Sequence, residues 1–335
     1  MSKKVLVTGC SGYLGRLLAA RLLEHPLVVR VVGMDVLAPG LPANPKFRTV
    51  IADIRDEYLL RSVLEEEGID TIFHTAFLNA DDLSDVRARE TNVHGTIVVL
   101  EAADKSPRVQ KLVIAGSTAA YGARRRNPRL LAESHPLKAS GLAYAVHKRR
   151  IEEELAKAMP QVRRGLQVAV LRLCTVVGPA ERSGGPVHRF CRLPFVVSAL
   201  GRPGGLQFLS ESDALEAFCR ALETPQLRGA FNVVPDDCVS VAQLCASLGK
   251  SRLPLPGPLL KLGLWLGRRL FKSTIPPSVS DYLAFPVVAS NQKFKEAVGF
   301  APAHGSLEAV LACARSLPGG EDTPPKGLTV PQAMQ

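Results

Sequence analysis

Two polar side chains of the chain have the types and the spacing that acid–base chemistry requires. Tyr144 and Lys148 lie four residues apart in the segment LAYAVHKR, so on a helix they are neighbours on one face. A free tyrosine has a pKa of about 10 and is a poor base at neutral pH. A nearby ammonium group stabilises the phenolate and lowers that pKa. The pair therefore predicts proton exchange with a substrate hydroxyl or carbonyl.

The helix that carries this pair must turn it inward. Tyr144 and Lys148 are followed at helical intervals by Ile151 and Leu155, so the polar pair continues an apolar stripe that faces the core. His147 is predicted to point away from that face and to take no part in the site. Most charged neighbours also fall off the stripe: Arg149, Arg150, Glu152, Glu153 and Glu154. Directing a lysine ammonium group into the core is unfavourable unless it has a partner there, and a bound cofactor beside a phenolate is such a partner.

Six short apolar segments, each followed by a stretch long enough for a helix, predict the architecture of the first half. They are KKVLVTG, LVVRVVGMD, FRTVIAD, DTIFHTAF, VQKLVIAGS and LQVAVLRLC. Strands that are apolar on both faces and alternate with helices indicate a parallel sheet covered on both sides. We therefore predict an α/β fold with a doubly wound parallel sheet, the Rossmann fold, and a ligand at the carboxyl ends of the strands.

Three glycines at the first strand-to-helix turn predict a dinucleotide site. Gly9, Gly12 and Gly15 have G-x-x-G-x-x-G spacing after the first strand, and Tyr13 and Leu14 lie between the last two. Glycine permits the tight turn and lets backbone amides approach a pyrophosphate at the helix N-terminus. We assign all five residues to cofactor binding.

Acidic residues at two strand ends extend this site. Asp35 ends the second strand about 20 residues after the last glycine, where a carboxylate accepts hydrogen bonds from ribose hydroxyls and repels a 2′-phosphate. NAD is therefore favoured over NADP. Asp53, followed by Ile54, ends the third strand, and we predict that both contribute to the adenine end. The alternative is that Asp53 caps the next helix.

Composition bounds the class of protein. The chain has 335 residues, 46% of them hydrophobic, and a net charge of +11, which fits a globular protein of one large or two coupled domains. The chain starts without a signal-peptide pattern, and its apolar stretches break before about 18 residues, so we expect a cytoplasmic protein. Dispersed basic residues argue against nucleic acid as a partner. Seven scattered cysteines predict neither disulfides nor a metal site.

The sequence pattern changes after about residue 178, where Pro and Gly break the chain into short predicted elements. We assign residues 1–177 to an NAD-binding domain that includes the catalytic residues, and 178–317 to a smaller substrate lobe. The segment ALETPQLRGAFNVV again predicts a helix and a strand, so the lobe is partly interleaved with the sheet. Residues 318–335 have no periodicity and are predicted to be a disordered tail.

Six motifs, in order, resemble those of the extended short-chain dehydrogenase/reductase family, in its NAD-dependent epimerase/dehydratase and hydroxysteroid-dehydrogenase-like branch. They are TGCSGYLG (8–15), FHTAF (73–77), TNVHGT (91–96), AGSTAAYG (115–122), AYAVHK (143–148) and LRLCTVVGP (171–179). The resemblance covers roughly residues 3–315.

The resemblance implies a role for each matching residue. Ser117, with Thr118 as second choice, matches the catalytic serine or threonine of the family, and Tyr144 and Lys148 match its catalytic tyrosine and lysine. Asn92 matches an asparagine with a largely structural role. The strand end from His74 to Ala76 matches the segment that lines the dinucleotide. The cofactor contacts implied in this way are Thr75, Ala76, Asn92, Tyr144 and Lys148.

Three functions follow from these residues. The favoured one is an NAD-dependent oxidoreductase acting on a secondary alcohol or ketone, with Tyr144 as acid and base. The alternative is a nucleotide-sugar epimerase or dehydratase that uses the same triad. Thr175 stands where several nucleotide-sugar enzymes of the family place an asparagine, which argues against that alternative. A non-catalytic dinucleotide-binding regulator is the third, and the intact triad argues against it.

Two further segments, together with the family resemblance, indicate which partners the protein could bind. The loop YGARRRNPR (121–129) either meets an anionic group of a small-molecule substrate or is a solvated basic loop. The segment LPLPGPLLKLGLWLGRRLFK (253–272) either contacts a membrane surface, covers an apolar substrate, or is a buried helix. The family often dimerises through the helices beside the active-site strand, which implies a homodimer.

Overall fold

The structure is a computed structural model that describes residues 2–79, 83–180, 188, 190, 191, 193, 195–200, 205–271, 278–285 and 287–317. The predicted disordered tail at 318–335 lies outside these residues. In the described ranges, no helix is long and apolar enough to cross a membrane.

A seven-stranded parallel sheet forms the centre of the molecule, in the order β10-β6-β5-β4-β1-β2-β3. Its strands are β1 (Lys3–Thr8), β2 (Val28–Asp35), β3 (Phe47–Ile51), β4 (Thr71–His74), β5 (Lys111–Ser117), β6 (Gln167–Leu173) and β10 (Gly229–Val233). All six strands predicted from the sequence are confirmed. The chain runs from β1 to β2 on one side and returns to β4 on the other, so the direction of winding reverses beside β1. Ligands of doubly wound sheets bind at that point.

Helices cover both faces of this sheet, as the apolar strands require. Their bounds are α1 (Tyr13–Leu23), α2 (Glu57–Glu66), α3 (Val86–Arg89), α4 (Gly95–Lys105), α5 (Ala143–Ala158), α6 (Glu211–Glu223), α7 (Val241–Ser247), α8 (Gly257–Phe271), α9 (Val279–Ala284), α10 (Gln292–Val298) and α11 (Ser306–Arg315). Helices α1 and α6 pack on one face through Leu18, Leu22 and Phe218. Helices α2, α4 and α5 pack on the other, and a π-helical turn at Glu90–His94 joins α3 to α4.

The second half of the chain contributes both to the central sheet and to a smaller lobe. Strand β10 pairs with β6 as the edge of the seven-stranded sheet. Two two-stranded sheets lie outside it: β7 (Thr175–Val177) with β9 (Phe208–Ser210), and β8 (Phe195–Ala199) with β11 (Ser251–Leu255). The interleaving expected from ALETPQLRGAFNVV is therefore present as α6 followed by β10.

Candidate active site

The hydroxyls of Ser117 and Tyr144 meet at the carboxyl end of β5. Ser117 is the last residue of that strand, and a 3₁₀ turn at Thr118–Tyr121 follows it directly. Tyr144 lies in the first turn of α5, with the Ser117 side chain beside its hydroxyl. Both hydroxyls can thus address one substrate oxygen. Thr118, the second choice, is buried within the 3₁₀ turn.

Lys148 is directed inward beside them, as the apolar stripe predicted. Its side chain is buried, and its Nζ donates to the Ala115 carbonyl oxygen at 2.6 Å. The same Nζ lies 4.1 Å from the centroid of the Phe77 ring and 5.9 Å from that of Tyr144. Burial lowers the pKa of Lys148 to about 7, and the nearby Glu152 carboxylate opposes that shift.

The pKa of Tyr144 moves in the direction opposite to the one expected from the sequence. Burial raises this pKa above its ordinary value, and the neighbouring Ser117 side chain only opposes the rise. The groups that shift this pKa do not include Lys148, whose Nζ donates to the Ala115 carbonyl. In this arrangement Tyr144 is therefore a protonated acid.

An additional tyrosine reaches the site from the second half of the chain. Tyr282 lies on α9 and donates its hydroxyl to the Ala119 carbonyl oxygen at 3.0 Å. Burial raises the pKa of Tyr282, and Asp281 and Tyr144 raise it further, so the two phenols lie near each other. Phe77 contacts the Tyr144 ring edge-on at 5.1 Å between centroids. The sequence held no signal for Tyr282, because its neighbours fit no family motif.

The three glycines of the first turn have different structural roles. Gly9 has a φ of +74°, and a Cβ there would lie 2.4 Å from Cα of Ala76. A Cβ on Gly15 would lie 2.1 Å from the Gly9 carbonyl oxygen and 2.6 Å from Oγ1 of Thr75. An added Cβ is tolerated better at Gly12, since its nearest atom there would be the Gly9 carbonyl oxygen at 3.3 Å. Gly9 and Gly15 are thus required for close packing, whereas Gly12 leaves space in front of the helix N-terminus.

Substitutions at Gly9 and Gly12 are therefore expected to affect different properties: the stability of the fold at Gly9 and the binding of NAD at Gly12. We expect Gly9→Ala to lower the free energy of unfolding by about 3 kcal/mol or more, because it adds backbone strain and a clash with backbone atoms. Gly12→Ala should stay within about 1 kcal/mol of the wild type but weaken NAD binding at least about tenfold, because its methyl group enters the pyrophosphate cradle. Urea unfolding and calorimetric NAD titration measure the two effects.

The matched control for Gly9→Ala is Gly249→Ala. Gly249 has a similar φ of +63°, with nothing within 4 Å of an added Cβ. Its substitution isolates the backbone strain, which costs about 1 kcal/mol. Wild-type affinity for NAD in Gly12→Ala would show that the pyrophosphate does not lie against this glycine.

Asp35 lies beside the glycine turn. Its Oδ2 accepts from the backbone N–H of Ser11 at 2.9 Å, which places the carboxylate at the end of β2, where a ribose would lie. Thr75 donates its hydroxyl to the Thr8 carbonyl oxygen at 2.7 Å and so joins the ends of β4 and β1. The glycine cradle and the carboxylate beside it fit NAD.

The other two residues predicted for the adenine end, Asp53 and Ile54, make contacts within the protein. Asp53 is paired with Arg55 at 2.6 Å, and this guanidinium lowers the pKa of Asp53. The alternative, that Asp53 caps the following helix, is wrong, because Asp56 accepts from the Leu59 N–H at 3.0 Å. The Ile54 side chain is buried in the core, so a cofactor contact would come from its backbone.

The Tyr13 side chain joins the glycine turn to the second half of the chain. Its hydroxyl donates to Oε2 of Glu211, the first residue of α6, at 2.7 Å. Leu14 packs against the core on the α1 side. The predicted cofactor contacts of both residues therefore rest on their backbone at the start of α1.

Asn92 and His147 form a buried pair behind the site. The Asn92 Oδ1 accepts from the Leu78 N–H at 2.7 Å, and its Nδ2 donates to the Leu78 carbonyl oxygen at 2.8 Å. The Nδ2 also lies 3.1 Å from Nδ1 of His147. The largely structural role implied for Asn92 agrees with these contacts. The His147 side chain is fully buried, and the prediction that it takes no part in the site stays a prediction.

The arginine side chains of the loop 121–129 lie at the surface. Arg124 donates to the Lys138 carbonyl oxygen at 2.9 Å. All four of its arginines are exposed: Arg124, Arg125, Arg126 and Arg129. This exposure agrees with the solvated interpretation of the loop.

Lys148 is expected to make stability depend on pH. Its pKa is about 7 in the folded protein against an ordinary value of 10.5, so between these values the unfolded chain binds more protons. The free energy of unfolding therefore rises with pH across this window. Lys148→Met should flatten the rise by about 2 kcal/mol between neutral pH and about pH 9. Urea unfolding of both proteins at each pH measures the difference, and equal slopes would contradict the assignment.

The fold and the site together define an enzyme that binds a dinucleotide where the winding of a parallel sheet reverses. The model of the NAD dependent epimerase/dehydratase family matches residues 5–195, and the chain belongs to that family. The resemblance inferred from the motifs, the use of NAD and the enzymatic character of the protein are thereby confirmed.

Similar sequences and structures agree with this assignment. An uncharacterized protein of Mycobacterium tuberculosis, Rv0501, is 29% identical over 317 residues, 92% of this chain and 82% of that protein. The dTDP-D-glucose 4,6-dehydratase of Homo sapiens is 27% identical over 262 residues, 74% of this chain and 73% of the relative. A 3-beta-hydroxysteroid dehydrogenase of Mycolicibacterium neoaurum is 37% identical over 121 residues, 34% of this chain and 32% of that enzyme.

Solved structures share the fold over nearly the whole chain. The Bordetella bronchiseptica enzyme WbmG, crystallised with NAD, superposes with a TM-score of 0.73 at 20% identity, covering 94% of each chain. The UDP-glucose 4-epimerase of Thermotoga maritima, crystallised with UDP-glucose, superposes with a TM-score of 0.72 at 21% identity. It covers 92% of this chain and 97% of its own.

Proposed function

We propose that the protein oxidises a secondary alcohol carbon of a small-molecule substrate, with Tyr144 exchanging the hydroxyl proton and Ser117 hydrogen bonding the same oxygen. The observation that carries this proposal is that the Ser117 and Tyr144 side chains lie together at the carboxyl end of β5, on the same edge of the sheet as the glycine turn. NAD, when bound, supplies the hydride acceptor.

The two directions of the reaction require different forms of Tyr144. The protonated phenol, which burial favours here, is the form that donates a proton to a substrate carbonyl oxygen. Oxidation of an alcohol requires the phenolate instead. The Lys148 ammonium can stabilise that phenolate when its Nζ leaves the Ala115 carbonyl and turns toward the phenol oxygen. With a pKa of about 7, Lys148 carries only part of its charge at neutral pH, so oxidation depends on that proton.

A nucleotide sugar is the substrate class we favour. The reaction we favour for it is epimerisation, in which the hydride returns to the other face of the carbon that was oxidised. The support is the relative named dTDP-D-glucose 4,6-dehydratase, which covers 74% of this chain. Elimination of water needs a further acid to protonate the leaving hydroxyl. The 3₁₀ turn that directly follows Ser117, Thr118–Tyr121, contains no carboxylic acid. Epimerisation therefore fits the site better than dehydration.

Net oxidation of an apolar secondary alcohol is the second candidate. Phe77, Cys174 and Tyr282 lie around Tyr144, and such a wall suits an apolar substrate better than a polyhydroxylated sugar. The 3-beta-hydroxysteroid dehydrogenase relative supports this candidate over 34% of the chain. Thr175, in place of the asparagine of several nucleotide-sugar enzymes, points the same way.

The balance of NADH distinguishes the two candidates. The protein is incubated with excess NAD and with UDP-sugars, dTDP-sugars, sterols or small secondary alcohols in turn, and both NADH and the products are measured. Epimerisation converts the sugar without accumulating NADH, whereas net oxidation forms one NADH for each ketone. Conversion by Tyr144→Phe at the wild-type rate would refute both candidates, because both require this hydroxyl.

A further inference from the structure

Helix α8 has an apolar face that is exposed to solvent. Leu259, Leu262 and Leu266 recur at i, i+3 and i+7, and their side chains are 53%, 50% and 38% exposed. Trp265, beside them on the helix, is 47% exposed. Leu260 projects from the opposite face and is buried. The buried-helix interpretation of this segment therefore holds for one face only.

The exposed apolar residues of the second half of the chain are concentrated around this helix. Beyond residue 178, the described large apolar side chains that are exposed all lie in or next to β8, β11 and α8: Leu193, Phe195, Leu200, Leu253, Leu259, Leu262, Trp265 and Leu266. Helix α8 packs against β8. Exposed apolar side chains grouped in this way mark an interaction surface more often than scattered ones do.

The charge around this surface has a single sign. Residues 238–280 contain six basic residues and no acidic one. Lys261 and Arg269 are exposed on α8 itself, and the Arg269 guanidinium lies 5.5 Å from the Trp265 ring centroid. An exposed apolar helical face with tryptophan, leucine and basic residues is typical of helices that lie in a membrane interface.

We propose that α8 docks on an anionic lipid bilayer, with Leu259, Leu262, Trp265 and Leu266 among the acyl chains and Lys261 and Arg269 at the phosphate groups. The helix is 15 residues long and lies in the interface without crossing it. Each basic side chain near an anionic leaflet strengthens binding about fivefold. The residues that lie among the acyl chains add the apolar contribution.

A second copy of the chain is a poorer occupant of this surface. A two-fold symmetric interface brings the same patch of both copies together. The basic patch of one copy, with Lys261 and Arg269, would then face the same basic patch of the other, with no acidic residue from 238 to 280 to compensate. Like charges brought together at an interface repel each other.

The membrane surface would lie close to the active site. Helix α9 packs against both α8 and β8 and carries Tyr282, whose hydroxyl binds the Ala119 carbonyl beside Ser117. Docking of α8 would therefore hold the Tyr144 site near the bilayer. This proposal does not depend on which substrate the enzyme uses.

The single tryptophan makes the test direct. Trp265 is the only tryptophan of the chain, so its fluorescence reports on α8 alone. The full-length protein is mixed with vesicles of phosphatidylcholine alone, or of phosphatidylcholine with phosphatidylglycerol. We expect co-sedimentation and a blue shift with the anionic vesicles, and weaker binding as salt screens the charges.

Three variants sharpen the result. Leu262→Glu combined with Leu266→Glu should weaken vesicle binding at least about tenfold, and Lys261→Glu about fivefold or more. Leu59→Glu is the matched control, because Leu59 is 37% exposed on the distant helix α2, and it should bind like the wild type. Circular dichroism shows that each variant is folded.

Two outcomes would overturn the proposal. The first is the absence of both sedimentation and a blue shift with anionic vesicles. The second is a dimer, seen by light scattering without lipid, that the Leu262→Glu and Leu266→Glu variant dissociates, because a second copy would then cover the face.

Discussion

Replacing Tyr144 with phenylalanine is expected to lower kcat by about 10²- to 10⁴-fold, the range that a positioned acid or base contributes. The substitution removes one oxygen and keeps the ring that packs edge-on against Phe77. NAD affinity should fall only by the loss of the cofactor contact implied for the Tyr144 hydroxyl, because the glycine turn and Asp35 are untouched. The free energy of unfolding should fall by about 1 kcal/mol or less, because the substitution removes a single polar atom beside Ser117. Single-turnover kinetics, NAD titration and urea unfolding measure the three quantities.

The control for this variant is Tyr58→Phe. Tyr58 lies on α2 and is 89% exposed, so the same oxygen atom is removed from a side chain that faces solvent. Its turnover should equal that of the wild type. Full turnover in Tyr144→Phe would mean that another group exchanges the substrate proton.

Replacing Glu152 with glutamine is expected to cost about 3 kcal/mol of the free energy of unfolding, because it leaves the charge of Arg172 buried and unpaired. The Arg172 side chain is only 7% exposed and binds both carboxylate oxygens of Glu152, at 2.7 Å for the shorter ion pair. Arg172 also donates to the hydroxyl of Tyr121 at 2.7 Å, and that hydroxyl donates to Oδ1 of Asn232 at 2.8 Å. The ion pair therefore joins α5 to β6 and β10.

The same substitution should also affect the active site through Lys148. Glu152 raises the pKa of Lys148, so its neutralisation lowers that pKa further and removes part of the Lys148 charge at neutral pH. The pH profile of kcat should show this shift in addition to the loss of stability.

The neighbouring residue supplies the matched control. Glu153 pairs with Arg149 at 2.7 Å, but these side chains are 42% and 27% exposed. Glu153→Gln should cost about 0.5 kcal/mol or less. Equal effects of the two substitutions in urea unfolding would contradict the role of the buried pair.

The pattern of the sequence was sufficient for the architecture of the central sheet. Strands such as β5, in which all seven residues are buried, read as apolar on both faces, and only a parallel sheet covered by helices satisfies that requirement. The Tyr144–Lys148 spacing was sufficient for the orientation of both side chains, because the helical period determines which residues share a face.

The roles of residues that depend on distant partners could not be predicted from the sequence. Glu152 carried no signal of its buried ion pair, because its partner, Arg172, lies on a separate strand. The burial of His147 carried none either, because Asn92, its partner, belongs to the π-helical turn before α4. Tyr282 carried no local signal and reaches the site only because α9 packs beside the 3₁₀ turn after β5.

The sequence by itself determined the sheet, the glycine turn and the inward direction of Tyr144 and Lys148, since each follows from local backbone geometry and residue periodicity. Only the tertiary structure decided the protonation of the site. Burial raises the pKa of Tyr144 and lowers that of Lys148, and burial is set by elements far apart in the chain. Tertiary packing likewise left one face of α8 exposed. Periodicity shows that a helical face is apolar, but only the packing of other elements shows whether that face is covered.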